Sequence, residues 1–147
     1  MSEYKLTDLA KSFIKDNRNL IENGKHDEFI LKAIDKDNNY LGRDDTLSIV
    51  NVFKELGINL FDYLPVNVND KAKILSAGGQ YTTYDSFFNL IGKDELKDKF
   101  THTMFKEDEL VTVLWIDMHE FFNRILAVVE DRDGHVRIID INCLKKV

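Results

Sequence analysis

Two apolar runs rich in β-branched residues, 125–129 (Ile125-Leu126-Ala127-Val128-Val129) and 136–141 (Val136-Arg137-Ile138-Ile139-Asp140-Ile141), flank the tetrapeptide Asp131-Arg132-Asp133-Gly134. Branched side chains suit a pleated, half-buried surface, and Asp-Gly tolerates the positive φ angles of a two-residue hairpin turn. The chain is therefore expected to contain an antiparallel pair folded at this corner. With Asp133-Gly134 as the turn, Val128 faces Ile139, Leu126 faces Ile141 and Glu130 opposes Arg137, so apolar meets apolar and charge meets countercharge.

A third run, Leu110-Val111-Thr112-Val113-Leu114-Trp115-Ile116, follows Glu109 and predicts another strand. Between the runs, Met118, Phe121, Phe122, Ile125, Leu126 and Val129 also fall at helical spacing, so a helix continuing from Trp115 competes with strands there. The strand reading is preferred because the run at 125 abuts the hairpin signal, and residues 118–123 then form a loop. Three short strands in meander resemble the central part of a Src-homology-3-like or Tudor-like barrel. That resemblance is one of pattern, covers only residues 109–147, and carries no diagnostic motif.

The N-terminal half reads as helical. Leu6, Leu9, Ala10, Phe13, Ile14, Leu20 and Ile21 lie on one helical stripe, which Gly24 stops. Asp27 opens a second helix carrying Phe29, Ile30, Ala33 and Ile34, and a third begins after Asp44 or Asp45 with Leu47, Ile49, Val50, Phe53 and Leu56. Gly57 followed by Ile58 predicts a C-terminal cap with a hydrophobic contact back onto the last turn. Residues 59–69, around Pro65, read as an irregular connection; 70–76, 84–91 and 93–100 read as short helices.

The expected architecture is α+β: an N-terminal helical bundle packed on a small C-terminal antiparallel sheet or Src-homology-3-like barrel. No Pro- or Gly-rich linker divides the chain, so residues 1–147 are expected to form a single compact domain, with 1–100 mainly helical and 109–147 mainly β. A net charge of −6 disfavours partners held through phosphates, namely nucleic acid and anionic membranes. The opening Met1-Ser2-Glu3-Tyr4-Lys5 lacks the basic-then-apolar form of a secretory leader, no stretch of eighteen apolar residues occurs, and the single cysteine, Cys143, suits a reducing compartment. A cytoplasmic protein is expected. The Lys-, Asn-, Asp- and Ile-rich, Pro-poor composition suits an AT-rich bacterium, its phage or a mobile element.

Metal patterns are incomplete. Asp35, Asp37 and Asn39 occupy the first, third and fifth positions of an EF-hand-like loop, but Tyr40 replaces the glycine at the sixth and Thr46 the bidentate carboxylate at the twelfth. Neither the sharp turn nor the completing ligand is there, so no metal is assigned. Asp131 and Asp133 echo a metal loop too, although a hairpin tip needs the same residues for its backbone. Ser76-Ala77-Gly78-Gly79-Gln80 lacks the Gly-Lys-Ser/Thr ending of a phosphate loop and reads as a helix stop.

Two functional classes remain. Asp117, His119 and Glu120 form the densest titratable cluster beside an apolar strand, where His119 would serve as a general base; Cys143 is the alternative nucleophile. Both suffer from missing partners: no His-Glu-x-x-His spacing occurs, and His26, His102 and His135 stand where solvent-facing imidazoles need no special cause. The other class is a binding surface. Trp115, His119, Phe121 and Phe122 make the most aromatic stretch in the chain and are expected to line a groove for another protein. A non-enzymatic protein-binding module of adaptor or inhibitor type, without cofactor, is therefore preferred over a small enzyme.

Overall fold

The computed structural model describes residues 5–35 and 41–147, so Asp37, Asn39 and Tyr40 of the acidic loop lie outside the described residues, while Asp35 is partly buried. The protein is α+β, with helices and a six-stranded antiparallel sheet. Its contacts divide into two compact units, one holding the residues up to Leu64 together with Phe121–Asn123, the other holding Pro65–Glu120 and Arg124–Val147.

The first unit is helical: α1 (Asp8–Asp16), α2 (Arg18–Glu22), α3 (His26–Ala33) and α4 (Arg43–Glu55). The single stripe expected from Leu6 to Ile21 is broken at Asn17, whose buried side-chain amide donates to the Phe13 carbonyl at 2.9 Å and ends α1 there. Thr7 caps α1 by accepting from the Ala10 N–H at 3.1 Å, and its hydroxyl donates to Asp45 Oδ1. The other Asp45 oxygen accepts the Gly42 N–H at 2.7 Å, so one carboxylate ties the starts of α1 and α4 together. At the far end of α4 the Ile58 N–H reaches the Phe53 carbonyl at 2.9 Å and the Gly57 N–H that of Lys54 at 3.0 Å, the cap expected from the sequence. Phe29 lies between Phe13 and Phe53, with ring centroids 5.1 and 5.5 Å away, and its full burial contributes on the order of 2–3 kcal/mol.

The second unit is built on β1 (Lys71–Ile74), β2 (Gln80–Tyr81), β3 (Leu110–Met118), β4 (Ile125–Glu130), β5 (Val136–Asp140) and β6 (Leu144–Lys146), in the spatial order β2-β5-β4-β3-β1-β6. The two outermost strands do not pair with each other, so the sheet is open and the Src-homology-3-like barrel is ruled out. Residues 71–74, expected to be helical, form β1 instead: Ala72 and Ile74 are fully buried while Lys71 and Lys73 turn outward, an alternation of period two. The short helices expected further on are present as α5 (Ser86–Leu90) and a 3-10 segment, Asp94–Lys99. Residues 115–129 are two strands joined by a loop, and the competing helix is absent there.

The hairpin forms where expected, with its register moved by one residue. Val128 pairs with Ile138, Leu126 with Asp140, and Val129 with Arg137. The turn holds three residues rather than two: Asp131 and His135 close it through a 3.0 Å backbone bond, with Gly134 at φ +85°. Because strand side chains alternate, this slip carries Arg137 away from Glu130 and into full burial. One face of the sheet packs Leu126, Val128, Val136 and Ile138 against Phe87 and Phe88 of α5.

Candidate functional site

Strand alternation places Asp117 on the same face of β3 as Trp115, and His119 follows directly after the strand ends at Met118. Cross-strand pairing continues that face: Asp117 opposes Leu126, which opposes Asp140, and the His119 N–H donates to the Arg124 carbonyl at 2.8 Å. Arg124 Nη1 and Asp140 Oδ2 form an ion pair at 3.1 Å, and Asp140 Oδ1 accepts the Asn142 N–H at 3.0 Å. Tyr81, paired with Ile138 on β5, brings its ring to 5.8 Å from that of His119. Tyr84 lies nearly parallel to the imidazole, 4.9 Å away with an 11° interplanar angle. His119 itself is 4% exposed.

Tyr81, Tyr84, Arg124 and Asp140 were not legible as site residues, because they come from separate stretches that meet only through sheet order. Burial raises the Tyr81 phenol pKa above its ordinary range; the Arg124 cation opposes that shift, and Asp140, Tyr84 and Cys143 reinforce it. At neutral pH the hydroxyl is thus a donor rather than a phenolate. Arg124 is already matched by Asp140, so the cluster presents no uncompensated cation to an anionic substrate. Cys143, partly buried, is held against Gly79. Asp117 uses Oδ1 to accept the Met118 N–H at 2.8 Å, and Glu120 is partly buried.

The aromatic stretch divides. Trp115 packs against the Phe87–Phe88 cluster, with Lys93 Nζ 4.4 Å from its ring centroid; its indole Nε1 is buried and has no acceptor among the described residues. Phe121 and Phe122 behave differently, being 70% and 61% exposed. Consecutive residues of an extended segment face opposite ways, yet both rings here are outward. The next residue anchors the tip: the Asn123 side-chain amide donates to the Ala33 carbonyl at 2.9 Å and to the Leu41 carbonyl at 3.2 Å.

At the β4–β5 turn, ligand atoms of Asp131, Asp133 and His135 lie within 4.8 Å of one another. Asp131 Oδ1 accepts the N–H groups of Asp133 and His135, each at 2.9 Å, which is the hydrogen bonding that shapes the turn. Among the described residues no helix is long and apolar enough to cross a membrane. No protein-family model, curated protein or solved structure matches the chain.

Proposed function

We propose that the chain is a non-enzymatic protein-binding module of adaptor or inhibitor type, and that Phe121 and Phe122 make the contact. The observation that carries this reading is the exposure of two adjacent phenylalanines on a tip whose next residue is fixed by two main-chain hydrogen bonds. Exposed aromatic rings lose little conformational entropy on docking and dominate binding energy at interfaces, and a fixed base lowers the ordering cost further. Trp115, packed against the Phe87–Phe88 cluster, and His119, buried against Tyr84, contribute less to the contact. The partner is a protein offering an apolar pocket. With a net charge of −6, the chain is poorly suited to nucleic acid.

The alternative, a small enzyme using Asp117, His119 and Glu120 or Cys143, is disfavoured by the packing of His119 beneath Tyr84, which keeps substrate from the imidazole unless Tyr84 moves. The test is capture of a partner by the immobilised full chain from an extract of its source cell. One stoichiometric protein is expected, and F121A/F122A should reduce capture by about tenfold or more, with melting within a few degrees of the parent because both side chains are exposed. Equal capture by the double variant removes the reading.

A further inference from the structure

The residue that follows the two exposed rings commits its side chain to main chain far away in sequence. Asn123 Nδ2 donates to the Ala33 carbonyl at 2.9 Å and to the Leu41 carbonyl at 3.2 Å. Ala33 is the last residue of α3, where helix carbonyls have no intrahelical donor. Leu41 stands directly before Gly42, the residue that caps the start of α4. One amide thus closes the end of α3 and holds the approach to α4, and Phe121, Phe122 and Asn123 accordingly group with the helical unit.

Chemistry fixes the orientation of this amide. Two carbonyl oxygens need donors, and only the side-chain nitrogen can supply them. Asn123 Oδ1, by contrast, is buried and has no hydrogen-bond partner among the described residues. A buried acceptor without a donor is destabilising and offsets part of what the two bonds contribute. The closed latch is therefore favoured by a small margin, about tenfold in population rather than many orders of magnitude. Removing the donors opens it. An aspartate in the same place would set carboxylate oxygen against both carbonyls, acceptor against acceptor.

We propose that Asn123 is the positioning residue of the Phe121–Phe122 contact: it ties the tip to the helical main chain, and the rings are held ready for docking only while this latch is closed. The proposal rests on the reading of those rings as the contact. Affinity for the partner then falls by the fraction of molecules whose tip is released. The contact also depends on the end of α3, whose last carbonyl is half of the latch.

Backbone nitrogen-15 relaxation of the full chain gives a test that needs no partner. Residues 121–123 should show order parameters of about 0.85 in the parent and below about 0.6 in N123A and N123D. Ala127 of β4 and Ile138 of β5 should keep the parent values in both variants, since order parameters describe the native state and loss of global stability alone does not move them. The second arm measures affinity for the purified protein that the parent chain recovers. N123A should weaken it about tenfold and N123D at least as much. N123A added to F121A/F122A should weaken it less than about threefold further, because the rings it positions are gone. A tip already mobile in the parent, an N123A tip as rigid as the parent's, or unchanged affinity in N123A overturns the proposal. So does a further loss in the triple variant as large as that of N123A alone. Should N123D not fold, N123A decides. Equal recovery by F121A/F122A removes the contact itself and this proposal with it, whereas failure of the latch alone leaves the F121A/F122A loss in place.

Discussion

A β-carbon placed on Gly79 would stand 2.3 Å from the Cys143 sulfur and 3.3 Å from the β-carbon of Asp140. The turn before β2 and the turn before β6 therefore meet at a point where only hydrogen fits. G79A should destabilise the protein by about 1–3 kcal/mol, since the obstruction is a short side chain on fixed backbone rather than a flexible end. Much of that cost should disappear in G79A/C143A. Urea unfolding of the parent, both single variants and the double variant checks this as a cycle, with a coupling of about 1 kcal/mol expected.

Tyr81 gives a prediction in pH. Its phenol pKa is raised in the folded protein, chiefly by burial, above the value it has in the unfolded chain. Folding therefore favours the protonated form, so this contribution to stability is full below the unfolded pKa and is lost as pH rises through the folded one. Ultraviolet titration should show one tyrosine ionising later than the ordinary phenol range. Y81F should remove that late component and flatten the alkaline decline in stability.

Asp140 matters more than its ion pair. The Arg124 side chain is about a third exposed, so solvent screens the pair and R124M should cost less than about 1 kcal/mol. D140A also strips the cap from the Asn142 N–H, which adds about 1 kcal/mol. Thermal unfolding should rank D140A clearly below R124M; the reverse order would show that the charge, not the cap, is the larger contribution.

Gly134 sits at φ +85° with nothing within 4 Å of an added β-carbon. G134A should therefore cost about 1 kcal/mol from backbone conformation alone. Because the space is open, G134N should cost less than G134A, asparagine being the more tolerant of this region. Melting temperatures of the two variants check the order.

The hairpin, the loop before Ile125 and the cap at Gly57 were legible because each rests on local chemistry: branched residues, turn residues and helix-end hydrogen bonds. The register was not. Asp131 directs its carboxylate to two backbone N–H groups and lengthens the turn by one residue, a preference that Asp-Gly alone does not reveal. Arg137 was misplaced for the same reason, read as a partner of Glu130 and found in the interior. Lys71-Ala72-Lys73-Ile74 contains good helix formers, and only the pairing of Ala72 with Val111 and Lys146 makes it a strand. The surroundings of His119 were invisible because no spacing along the chain links Tyr81, Tyr84, Arg124 and Asp140; strand order does.

The last strand, β6, is three residues long, and two of them, Lys145 and Lys146, are exposed to water. An outer strand of this kind has unmet backbone groups on one side, the usual starting point for fibril growth. Another copy adding itself there would bring its own lysine pair against this one in a ladder about 5 Å across, where like charges repel. Two cationic side chains at the margin thus oppose the pairing of a second copy along this strand.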